Sequence, residues 1–135
     1  MTQRERLERL ADLLDTDPAT WPTDGDAPVG FRMQTDWLCR TPSCGTVCCV
    51  AGLAALDPVL RADGLSLDGE PDRRHRYVVA TNPATGRAEV GYRAAAAFFG
   101  VTHLFDPDEY PESDRTDPTA VAARIRKYAA ELPRE

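Results

Sequence analysis

Three of the four cysteines of this chain fall within Cys44-Gly45-Thr46-Val47-Cys48-Cys49, directly ahead of the small-residue run Val50-Ala51-Gly52. Sulfur at the start of a helix can do chemistry, because free backbone N–H groups and the positive end of the helix dipole favour thiolate. Cys44, just before such a helix, has the placement of a nucleophile, with neighbouring N–H groups available to an oxyanion. The same sulfurs, with Cys39 and either His75 or His103, are also a possible tetrahedral metal set. The intervals of four, three and four residues between Cys39 and Cys44, Cys44 and Cys48, and Cys44 and Cys49 contain no CxxC pair, however. The plainest alternative is that all four thiols fill a core, since free cysteine is among the most buried residue types.

Around these cysteines stand residues that would shape a pocket. Phe31, Met33 and Trp37 read first as core, and beside Cys44 their polarizable surfaces would suit a planar or apolar ligand. Arg73-Arg74-His75-Arg76 is the densest basic run, a candidate anion contact or an exposed strand entry. Asp106 to Asp117 carries six carboxylates, but Tyr110 and Pro111 stand where an EF-hand needs an oxygen ligand and a glycine. His103, next to Leu104-Phe105, reads as a packed or edge residue.

The elements that must position these groups follow from periodicity and caps. Thr2 and Glu5 have capping-box spacing ahead of Leu7, Leu10, Ala11 and Leu14, which predicts a helix over 3–15. Pro18, Pro22, Gly25, Pro28 and Gly30 make 16–30 a surface loop with Trp21 as its pin. Phe31 to Leu38 reads as extended, and Thr46 caps a helix whose buried side is Val50, Leu53, Ala54 and Leu56. Asp57-Pro58 opens a short helix closed by Gly64. Residues 65–76 read as polar loop, and a hairpin near 76–91 turns through Asn82-Pro83-Ala84-Thr85-Gly86. An alanine-rich helix over 93–99 ends at Gly100, Thr102 caps one more turn, and Asp117-Pro118 opens a last helix with Val121, Ile125, Tyr128, Ala129 and Leu132 on one face. The expected fold is therefore α+β and mainly helical, with four or five short helices around the cysteine-initiated one and a small β-hairpin.

At 135 residues the chain suits one domain, 1–135, with a real core. A net charge of -6 argues against general nucleic-acid binding, which relies on clustered Lys and Arg. No stretch reaches the roughly 20 apolar residues of a membrane span. Met1-Thr2-Gln3-Arg4-Glu5 is too charged for a signal peptide, so the expected compartment is the cytoplasm, where thiols stay reduced. No cofactor is expected.

Cys44-Gly45-Thr46-Val47-Cys48 ahead of a small-residue helix resembles the nucleophile segment of papain-like cysteine peptidases, with His75 before Tyr77-Val78-Val79 as the base and Asn82 in place of the orienting Asp. Six residues separate His75 from Asn82, and the nearest preceding glutamine, Gln34, is ten residues before Cys44. A wider resemblance, over Phe31-x-Met33-x-x-x-Trp37, Cys44-Gly45-Thr46-x-x-Cys49-Val50-Ala51-Gly52 and Leu104-Phe105, is to small uncharacterised proteins of bacteriophages and bacteria. That resemblance implies Cys44 and Cys49 as the shared pair and, by analogy of context, a role in host takeover, defence or counter-defence. The expectation is an interaction or ligand-binding protein with a protein or small-ligand partner, using Phe31, Met33, Trp37, Cys44, Gly45, Thr46 and Cys49. A cysteine hydrolase or acyltransferase and a thiolate metal site are the alternatives.

Overall fold

A computed structural model of the chain describes residues 1–17, 20, 30–31, 38–40, 47–48, 50–68, 75–90, 92–105, 109–114 and 117–133. Helix α1 (Gln3–Leu14) starts at the expected box: Thr2 Oγ1 accepts from the Glu5 N–H at 3.1 Å, and the Thr2 N–H donates to Glu5 Oε1 at 3.1 Å. The Thr2 N–H and hydroxyl hold the Glu5 carboxyl below its usual range. Leu7, Leu10, Ala11 and Leu14 are buried along one stripe.

Strand β1 (Gly30–Phe31) pairs in parallel with β3 (Val47–Cys48), and β2 (Leu38–Arg40) lies between them in sequence. Helix α2 (Val50–Leu56) follows, then α3 (Pro58–Ala62), which has Pro58 at its first position and Asp57 as its cap. Next come β4 (Ser66–Asp68), β5 (His75–Thr81), β6 (Ala88–Val90) and helix α4 (Tyr92–Phe99). Helix α5 (Pro118–Ala130) is capped by Asp117, which accepts from Thr119 and Ala120. The molecule is α+β and mainly helical, with five α-helices among the described residues.

The sheet is larger than the expected hairpin. β5 is its spine: Tyr77 is paired with both Leu38 and Asp68, and Val79 with both Ser66 and Val90. A strand has two edges, so β4 takes one, while β2 and β6 follow each other along the second. Along β5, Val78 and Ala80 are buried while Thr81 is exposed, the alternation of a sheet with one covered face. Helix α4 lies on β5 and β6, α2 on β2, β4 and β5, and α1 bears on α4 and most extensively on α5. Phe99 sits at the centre of this core, stacked on Phe105 at 5.1 Å and edge-on to Phe98 at 5.0 Å.

Arginines of α1 tie the frame together. Arg9 makes a two-pronged pair with Asp57, Nε to Oδ2 at 3.0 Å and Nη2 to Oδ1 at 2.7 Å. Asp57 Oδ2 also accepts from the Leu60 N–H at 3.1 Å, so one carboxylate, 1% exposed, both caps α3 and anchors α1. The hydrogen bond to Asp57 raises the Arg9 pKa further above its ordinary value. Arg6 reaches Asp63 at 2.6 Å and the Phe98 carbonyl at 2.6 Å, with its guanidinium 4.0 Å over the Phe98 ring. Gln3 donates to the carbonyl of Gly100, whose φ of 75° closes α4.

Candidate functional site

The cysteine segment does not form one continuous helix. Val47 and Cys48 are strand, and α2 begins at Val50. The expected helix from Thr46 is corrected accordingly: alanine and glycine after Cys49 favour a helix, but Val47-Cys48 finds a ladder partner in Gly30-Phe31, a non-local pairing that spacing along the chain does not display. Met33, Trp37, Cys44, Gly45, Thr46 and Cys49 lie outside the described residues, so the Cys44–Cys49 pair and the cap at Thr46 have no structural description here.

The described part of the segment brings two halves of the motif together. In the parallel pair, Phe31 stands in register with Cys48 and Gly30 with Val47. The fifteen residues between Phe31 and Val47 satisfy the dozen or so that a parallel crossover needs. Strand β2 lies against β3 and α2 and carries Cys39. Across the antiparallel ladder Cys39 is opposite Arg76, and Arg40 is opposite His75. Phe31 and Cys48 thus belong to a separate two-stranded pair, which meets the four-stranded sheet where β3 lies against β2, and β2 with the start of β5 carries Cys39, Arg40, His75 and Arg76.

Asn82 is elsewhere. It forms the corner of the β5–β6 turn, its N–H donating to the Arg87 carbonyl at 2.8 Å and its Oδ1 accepting from the Ala84 N–H at 2.9 Å. His75 begins β5 and Asn82 follows its end, a separation of about 20 Å at the rise of an extended strand. Asn82 therefore does not orient His75. The turn, with Gly86 at φ 73°, explains the Asn-Pro-Ala-Thr-Gly sequence completely. Among the described residues no group of three or more His, Cys, Asp or Glu is placed to hold a metal, and no helix is long and apolar enough to cross a membrane.

A second feature was not legible as a site. His103, Leu104, Arg124, Lys127, Tyr128 and Glu131 line an open groove of about 340 Å³ between the 3-10 turn His103–Phe105 and the second half of α5. The His103 and Tyr128 rings meet edge-on, 5.2 Å between centroids. Arg124 lies 4.6 Å over the Tyr110 ring and donates to the Glu109 carbonyl. Tyr110 in turn donates its hydroxyl to the Leu104 carbonyl at 2.7 Å, and burial pushes its pKa well up. Arg124, Lys127 and Tyr128 at i, i+3 and i+4 share a helix face, a signal that the core residues between them masked.

No protein family, no curated protein and no solved structure matches this chain.

Proposed function

We propose that this chain is a small soluble interaction or ligand-binding protein, not an enzyme, acting through the surface built by β1, β3 and the adjoining end of the sheet. The observation that carries this reading is the parallel pairing of Phe31 with Cys48. It joins the aromatic and the sulfur-bearing parts of the sequence, with Cys39, Arg40, His75 and Arg76 in the neighbouring ladder. Aromatic and arginine positions are the residue types that dominate binding surfaces. The separation of His75 from Asn82 supports binding over papain-like catalysis. The resemblance to small bacteriophage and bacterial proteins makes a host or competing-phage protein the partner class, in takeover, defence or counter-defence.

Thiol-specific mass labelling tests it. Cys39 and Cys48 are expected to alkylate more slowly when cell extract is present, and the protection is expected to disappear in Phe31→Ala with the circular dichroism spectrum unchanged. Extract that leaves both labelling rates unaltered would overturn the reading. So would a turnover lost in both Cys44→Ala and His75→Ala while the fold persists.

A further inference from the structure

We propose that the groove between the His103–Phe105 turn and α5 is a binding site for a small planar carboxylic acid that carries a hydroxyl group. Its volume of about 340 Å³ falls at the small end of ligand pockets, which run from about 300 to 1,000 Å³. The protein as a whole is acidic, at -6, yet among the described residues this groove presents Arg124 and Lys127 against one carboxylate, Glu131. Local charge therefore opposes the global charge, and a monoanion is drawn to this place rather than to the surface in general.

Each lining residue has a separate part. The bond to the Glu109 carbonyl and the stack on Tyr110 fix the plane of the Arg124 guanidinium. A guanidinium has five N–H donors, and those of Arg124 beyond its bond to Glu109 have no partner among the described residues. A preoriented fork of this kind matches a carboxylate. Lys127 makes no ion pair among the described residues and supplies a second, mobile charge. The His103 and Tyr128 rings, meeting at 72°, form an aromatic corner against which the face or edge of a ligand ring can pack. Glu131 accepts a hydroxyl hydrogen bond and repels a second negative charge, so a hydroxy acid is preferred to a phosphate dianion. None of these residues belongs to the β1–β3 surface, so the two proposals stand or fall separately.

Titration of nitrogen-15-labelled protein with sodium 4-hydroxybenzoate provides the test. Saturable amide shifts are expected for residues 103–104 and 124–131. Lys127→Ala is expected to weaken binding about tenfold, the loss of one charge-assisted hydrogen bond. Glu131→Gln is expected to narrow the advantage of 4-hydroxybenzoate over benzoate and to raise the affinity for inorganic phosphate. Any one of three results would overturn the proposal: no saturable shift in the wild type, equal binding of inorganic phosphate or uncharged benzamide by the wild type, or unchanged affinity in Lys127→Ala.

Discussion

The arginines of α1 and the two cations that line the α5 groove, Arg124 and Lys127, have the same charge and opposite degrees of commitment, whereas Arg126 between them is paired to Asp12 and Asp15. Arg6 and Arg9 are held by two carboxylates, one carbonyl and a ring on α3 and α4, so their charge contributes to a fixed frame. Arg124 is fixed by one carbonyl and one ring, and Lys127 is not tied to any described group. What differs is the supply of acceptors: Asp57 and Asp63 stand where α1 can reach them, whereas among the described residues Glu131 is the one carboxylate that lines the groove with Arg124 and Lys127. Charges matched within the fold stabilise it, and charges left over recruit something from outside.

The largest break in this contrast should come from the frame's apolar centre. Phe99→Ala removes a fully buried ring and is expected to cost about 3–5 kcal/mol, read as a drop in the urea midpoint. Asp57→Ala comes next. It deletes a cap and a two-pronged ion pair together, an expected loss of about 2 kcal/mol with Arg9 still able to reach water. A double-mutant cycle with Arg9→Met should show the two positions strongly coupled in thermal melts.

Tyr110→Phe lies between frame and groove. Losing the bond to the Leu104 carbonyl should cost about 1 kcal/mol near neutrality. Because burial raises the Tyr110 pKa above its ordinary 10.0, folding favours the neutral phenol. That contribution is complete below pH 10 and is lost as pH rises through the raised value. Wild-type stability should therefore fall on the alkaline side of pH 10, with a shallower fall in Tyr110→Phe. Asp63 has the opposite sign: hydrogen bonding from Arg6 lowers its pKa below 3.8. Its contribution is present above that value and lost as pH falls through the lowered one, so Arg6→Gln should flatten the acid limb of the melting profile. The smallest effect belongs to Lys127→Ala, expected within about 0.5 kcal/mol of wild type, because nothing in the frame depends on it.

What the sequence disclosed was local. Thr2 with Glu5, Asp57 with Pro58 and Asp117 with Pro118 each announce a helix through hydrogen bonds that close within a turn, and all three caps are formed. The β5–β6 hairpin was legible for the same reason, since its turn lies between its strands. Strands β2 and β4 were harder. Ser66-Leu67-Asp68 reads as polar loop and becomes strand only because β5 offers an edge, a partner encountered several residues later. Val47-Cys48 reads as the start of a helix because its ladder partner Gly30-Phe31 is distant in sequence, whereas Asn82 reads as a turn residue, and as an orienting amide only under the cysteine-hydrolase alternative; the turn is formed. The groove was hidden differently: His103 and Tyr128 are 25 positions apart, and only the packing of the 3-10 turn beside α5 makes them neighbours.

The partnership of α1 with α5 has a consequence for how the molecule is made. Leu7 and Leu10 share a core with Val121 and Ile125, more than a hundred positions later. During synthesis, α1 emerges from the ribosome long before its main partner exists. At about 5–20 residues per second, its apolar stripe waits for several seconds without that cover. Closure of the core therefore waits for the synthesis of α5, and ribosome-bound chains halted before residue 118 should bind chaperones that released chains carrying α5 do not.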